Sequence, residues 1–167
     1  TGLARAFNLG RYEKLGWWLT DSFGAAGRQV PTFSFSVFNF YRSDYQAPGP
    51  VRDSNLVSPT FQITDAHSSV ALPNYFWEVL NDGFQANAVR SDDPYFALDF
   101  TGLLLLKDNP EAMADHLNLL LCAGRMSAKT RATLIRAIEQ VPASDPNMRA
   151  IVAAYVAIVS PEAAIQR

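Results

Sequence analysis

The segment DPNMRAIVAAYVAIVSP, Asp145 to Pro161, reads as a buried helix from end to end. The carboxylate of Asp145 can accept from an orphan N–H of the first turn, where Pro146 forfeits no hydrogen bond because its N–H would have had no partner. Met148, Ile151, Val152, Tyr155 and Val159 then form one apolar stripe, and Ala150, Ala153, Ala154 and Ala157 fill the other sides. A helix that is apolar all round belongs inside, and its small residues let neighbouring helices come close. The expectation is a helix at the centre of a helical array, to be refuted by high exposure of Ile151 and Tyr155.

Working outward, the pairing of a capping side chain with proline recurs at Ser58-Pro59, Asp93-Pro94, Asn109-Pro110 and Ser160-Pro161. Each is a candidate helix start. Leu134, Ile135, Ile138 and Val141 make a helical stripe after Ser127, and Met113, Leu117, Leu120 and Leu121 make another, closed by Gly124 as the left-handed terminating residue. Phe61, Ile63, Val70, Tyr75, Phe76, Trp77, Val79 and Leu80 belong to a further helical stretch that Pro73 should kink or split, since its ring clashes with the carbonyl four residues back. Asn81, Asp82 and Gly83 end that stretch, and 83–94 has no apolar period and reads as loop. At the front, Tyr12, Leu15, Gly16, Leu19 and Phe23 mark an amphipathic helix, with Trp17 and Trp18 off its stripe and Gly24 and Gly27 after it.

Between front and core lies PTFSFSVFNFYRSDYQAPGP, Pro31 to Pro50. Phe33, Phe35 and Val37 alternate with Thr32, Ser34 and Ser36, which suits a strand, but Phe38, Phe40 and Tyr41 break the period and no partner strand is visible. The segment reads as an extended aromatic clamp closed by the Ala47-Pro48-Gly49-Pro50 turn. The fold class is therefore all-α: an irregular helical array with a long aromatic Pro/Gly-rich loop and little or no β. It is laid out as a single helical domain over 1–167, with N-terminal helices in 1–30, the aromatic loop in 31–57 and the helical core in 58–167.

Composition narrows the function classes. The chain has 14 basic and 16 acidic residues, well mixed, for a net charge of −2, so no basic stripe awaits nucleic acid. No apolar run approaches the ~18 residues of a membrane span. Only 18% of residues are charged against 49% hydrophobic, which points to surface covered by another domain or a partner. The one cysteine, Cys122 in LNLLLCAGR, can form no internal disulfide and reads as a buried, inert thiol. A start at Thr1 without methionine fits a piece of a longer protein.

Arg42, Asp44, Tyr45 and Asp53 are the candidate ligand-binding residues. In one reading Asp44 and Asp53 present carboxylates beside a platform of Phe40, Tyr41 and Tyr45 that could hold a sugar or a cation. In the other, Arg42 pairs with Asp44 or another carboxylate and the rings are packing, which is the usual use of aromatic clusters. His67, with Asp65, Ser68 and Ser69 beside it, is a weaker catalytic candidate, because a triad is made by geometry and not by adjacency. His116, beside Asp115 and Asn118, reads as a solvated or capping side chain. Asp82, Asp92 and Asp93 could offer oxygens to calcium, yet no EF-hand spacing is present and Asp93 serves as a plain cap. With no HExxH, Cys/His spacing, Gly-rich phosphate loop or GxSxG elbow, no metal and no cofactor is expected.

FNFYRSDYQAPGP (Phe38 to Pro50), LVSPTFQIT (Leu56 to Thr64), LNLLLCAGRMS (Leu117 to Ser127) and VAIVSPEAAIQR (Val156 to Arg167) stand in an order and spacing that resembles the C-terminal portion of domain of unknown function family 1800. The resemblance spans nearly the whole chain. It departs at Ser43, where the family usually has proline, and at Thr60, where it usually has glutamate; the second change removes an acidic group from a helix start. The resemblance implies a larger, mostly helical, exported bacterial protein, often encoded beside members of domain of unknown function family 1501, which look like sulfatases or alkaline phosphatases. The expected role is a non-catalytic structural or interaction module packed on the rest of its parent chain or on a partner. The rival is part of an exported enzyme acting on polysaccharide or another polymer, with the 38–53 loop contributing to a cleft.

Overall fold

The computed structural model describes residues 7, 34, 36, 37, 39–85, 95, 96 and 98–164. Seven α-helices follow one another there: α1 (Pro50–Asp53), α2 (Ala66–Asp82), α3 (Thr101–Leu104), α4 (Pro110–Cys122), α5 (Ala128–Gln140), α6 (Pro146–Ile158) and α7 (Pro161–Ala164), with a 3-10 turn at Pro59–Ile63. The named strands among the described residues are two residues each, β1 (Phe84–Gln85) and β2 (Tyr95–Phe96), paired with one another. The chain is all-α, as its periodicities require. The expected front helix around Tyr12 to Phe23 and the Asp93-Pro94 start lie outside the described residues, as do Phe33, Phe35 and Phe38.

The chain divides into two compact units: Thr1–Tyr12, Phe76–Phe84 and Tyr95–Arg167 form the first, and Glu13–Tyr75 and Gln85–Pro94 the second. In the first unit, α6 packs against α3, α4, α5 and α7, and α4 packs against α5. Helices α4, α5 and α6 each begin with a side-chain cap. Asn109 Oδ1 accepts from the Ala112 N–H at 3.0 Å, Ser127 Oγ from Thr130 at 3.2 Å, and Asp145 Oδ1 from Met148 at 3.0 Å. Each such cap contributes on the order of 1 kcal/mol.

The faces of α6 are a correction. Ala150, Ala153, Ala154 and Ala157 are completely buried, whereas Ile151, Val152 and Tyr155 are half-buried and Val159 is exposed. The seam follows the small residues because backbones approach closest where side chains end at Cβ, and the large side chains wrap the flanks. Tyr155 there meets Trp77 edge to face, ring centres 5.3 Å apart. The central position of α6 nevertheless stands, since neither Ile151 nor Tyr155 is highly exposed.

In α4 the buried arc holds Met113, Ala114, Leu117 and Cys122, while Leu120 is exposed. Its centre is turned from the expected stripe toward Ala114, leaving Leu120 at the edge. The left-handed step that ends α4 starts at Ala123 (φ 52°), one residue before Gly124 (φ 76°). Asn118 holds it there: its carbonyl accepts from the Gly124 N–H at 3.0 Å and its side-chain oxygen from Met126 at 2.9 Å. Elsewhere in this unit Phe7 is buried against Phe100, ring centres 5.0 Å apart, and its carbonyl accepts from the Asp99 N–H.

Helix α2 runs unbroken through Pro73, so of the expected kink or split the split does not occur. Proline costs a helix one hydrogen bond and some strain, and α2 is secured on both sides of it. Val79 and Leu80 are buried near its end. At its start Asp65 and Ser68 cap one another, the Asp65 N–H donating to Ser68 Oγ and the Ser68 N–H to Asp65 Oδ1, both at 2.9 Å. This is a capping box with serine in the place of the usual glutamate.

Candidate functional site

Ser58 organises the clamp. It opens the 3-10 turn with Pro59, as its sequence signal requires, but its hydroxyl caps no helix: Ser58 Oγ accepts from the Ala47 N–H at 2.9 Å, and the Ser58 N–H donates to the Tyr45 carbonyl at 2.7 Å. The loop 45–58 is thereby closed at its base. Inside it, Gly49 takes φ 94° and ψ −148°, a conformation that only glycine adopts without strain, and lets Pro50 start α1. No atom lies within 4 Å of a Cβ placed on Gly49, so backbone conformation alone demands glycine here. Gln46 Nε2 donates to Asn55 Oδ1 across the loop at 3.2 Å.

Arg42 and Asp44 are brought together as a two-pronged ion pair, with Arg42 Nε to Asp44 Oδ1 at 3.2 Å and Nη2 to Oδ2 at 3.0 Å. The guanidinium's hydrogen bonds, then its charge, hold the Asp44 carboxyl below its ordinary range. Both side chains are more than two-thirds exposed, so the pair contributes little stability. The Arg42 N–H also donates to Gln62 Oε1 at 2.7 Å, fastening the aromatic run to the 3-10 turn. Tyr45 enters through its backbone carbonyl on Ser58, with its side chain half-buried, and Asp53 ends α1 exposed, its N–H donating to the Gly49 carbonyl. Phe40 and Tyr41 are half-buried. A tight antiparallel bridge between Ser36 and Asn39, with Asn39 at φ 68°, turns the chain just before them.

The other described candidates lie on the helices. Ser68 and Asp65 cap α2, Ser68 Oγ also donates to the Ile63 carbonyl at 3.0 Å, and His67 is exposed on the first turn. His116 departs from the expected solvated position: it is half-buried, with Nε2 3.8 Å from a Cβ placed on Gly102. Asp82 is exposed and accepts from Asn81 Nδ2, while Asp92 and Asp93 lie outside the described residues. Among the described residues no three His, Cys, Asp or Glu side chains are grouped to hold a metal ion, and no helix is long and apolar enough to cross a membrane. The Cys122 thiol is fully buried, and that burial pushes its pKa up.

What sequence reasoning missed is the surface of the second unit. Leu56, Val57, Phe61 and Val70 are all more than half exposed there, with Phe61 at 56%. Phe61 and Val70 fall in the helical stretch that the sequence predicts, and no local signal tells which apolar residues of such a stretch stay exposed. Ser58 and Gln62, which hold the clamp, were invisible for a related reason, as their partners lie 11 and 20 residues away. Among the described residues the arrangement around the clamp is a loop pinned by hydrogen bonds, with Leu56, Val57 and Phe61 exposed beside it. No family model matches the chain, nor does any curated protein or solved structure.

Proposed function

We propose that this chain is a non-catalytic interaction module of a larger exported bacterial protein, and that the second unit carries its contact surface. The supporting observation is how the clamp spends its polar groups: Arg42 and Asp44 bind each other while Ser58 and Gln62 bind backbone, and Leu56, Val57, Phe61 and Val70 of the same unit stand in water. Exposed apolar surface beyond scattered single residues marks interaction sites and binding grooves. Export and a parent chain rest on the family resemblance, which also makes a member of domain of unknown function family 1501 a candidate partner.

The test is association of the purified chain with the remainder of its parent protein, followed by calorimetry. Phe61→Glu and Leu56→Glu should each weaken binding by about tenfold or more, the loss typical of a buried apolar anchor. Arg42→Met should leave it unchanged. If instead the parent protein hydrolyses a polysaccharide, and Arg42→Met or Asp44→Asn abolishes that activity while Phe61→Glu spares it, the module reading is wrong and the clamp belongs to a catalytic cleft.

A further inference from the structure

Helix α7 is four residues long and buries none of them, so its own backbone cannot keep it in place. Two side chains do. The Glu162 carboxylate reaches back to the first turn of α5, accepting from the Ser127 N–H at 3.1 Å and from the Thr130 hydroxyl at 3.0 and 3.2 Å. Its pKa is drawn down to about 2, first by the Ser127 hydroxyl beside it, then by the backbone N–H groups of Glu162 and Ser127, and least by Thr130, as befits an anion well satisfied where it sits. Ser160, just before α7, is turned inward and buried, its hydroxyl donating to the Ala157 carbonyl at 2.7 Å.

Beneath this segment is Cys122. Its Sγ lies 3.9 Å from Ser160 Oγ, it has no exposed surface, and α7 packs against both α4, which carries the thiol, and α6. The floor is firm, because Asn118 pins the connection between α4 and α5 from within. A four-residue helix that buries none of its own residues and is tied down by polar contacts belongs to the low-stability end of a structure, where local opening begins.

We propose that Ser160–Ala164 is a strap over the Cys122 thiol and that Glu162 is its latch. Releasing the latch lifts the strap and brings the thiol to solvent while α4, α5 and α6 remain folded. The Glu162–Ser127–Thr130 contact thus sets how often the lone thiol is available to any reagent or partner.

The rate of Cys122 modification by an aromatic disulfide, measured on the folded chain, reads this directly. Glu162→Ala should raise the rate about tenfold and Glu162→Gln by less, since charged hydrogen bonds are roughly twice as strong as neutral ones. Thr130→Val, which removes one partner from the other side and leaves Glu162 intact, should give a rise of a few-fold, about half the logarithmic effect. Asp115→Asn, which breaks the Arg131 ion pair between α4 and α5, should leave the rate as it is. In low urea the accelerated rate should change with a shallow slope, as local opening does. Equal rates in wild type and Glu162→Ala, an equal rise in Asp115→Asn, or a slope matching global unfolding would each overturn the proposal.

Discussion

In the helices from Pro110 to Ala164, Met113, Leu117, Leu134, Ile138 and four alanines of α6 have no solvent exposure at all. Across 34–75, by contrast, the one buried side chain among the described residues is Ser68, a polar one. The first region is held by apolar area and close packing, the second by hydrogen bonds that close loops and cap turns. Hydrophobic burial is non-directional and adds up with area, so the first region should yield to changes in volume. Hydrogen bonds stabilise modestly but are costly to leave half-made, so the second should yield to removal of single polar atoms.

The largest effect expected from this contrast is at Leu117. Leu117→Ala should lower unfolding free energy by about 2–5 kcal/mol in urea, the range for a leucine deleted from a packed core; a loss below that of the polar changes described next would break the comparison. Ala153→Leu comes second, because extra methylenes in the seam of α6 force backbones apart at about 1–3 kcal/mol. In the other region Ser68→Ala should cost on the order of 1–2 kcal/mol through the lost cap and the Ile63 bond, read as reduced helicity and a lower midpoint. Phe61→Ser should change stability by no more than about 0.5 kcal/mol, as a surface substitution. A large loss there would show that Phe61 is core in solution.

Acid sharpens the comparison further. Glu162 has a folded pKa of about 2 against an ordinary 4.5. A depressed carboxylate contributes its stability in full above the unfolded value and loses it as pH falls from 4.5 toward 2. Wild-type stability should therefore decline over that window, and Glu162→Gln should flatten the decline. The Asp44 carboxyl is lowered as well, but in a solvent-exposed pair, so Asp44→Asn should alter the profile less.

How legible the chain was depends on how far each residue's partner lies. Asn109-Pro110 and Asp145-Pro146 were readable as helix starts because a cap reaches only three residues along the chain. Cys122 was readable as a buried thiol because its neighbours in LNLLLCAGR already describe an apolar setting. Of the candidate site, the Arg42–Asp44 pair was foreseeable at a separation of two residues, whereas Ser58 closing onto Tyr45 and Ala47 was not. Asp65 and Ser68 suit both a capping box and the surroundings of a histidine in sequence, and only the placed backbone shows them capping α2.

By itself, then, the order of residues settled the all-α class, the main helix starts of the last third and the absence of any recognisable metal or phosphate motif. These follow from contacts within a turn or two, or from which residue types are present at all. Only the tertiary structure decided that α6 turns its alanines inward, that Leu120 faces out, that α2 survives Pro73 and that Glu162 binds the start of α5. Periodicity says that a helix has a buried side but not which neighbour arrives there or how closely. That is set by the packing of elements distant in sequence, where shape and volume outweigh local preference.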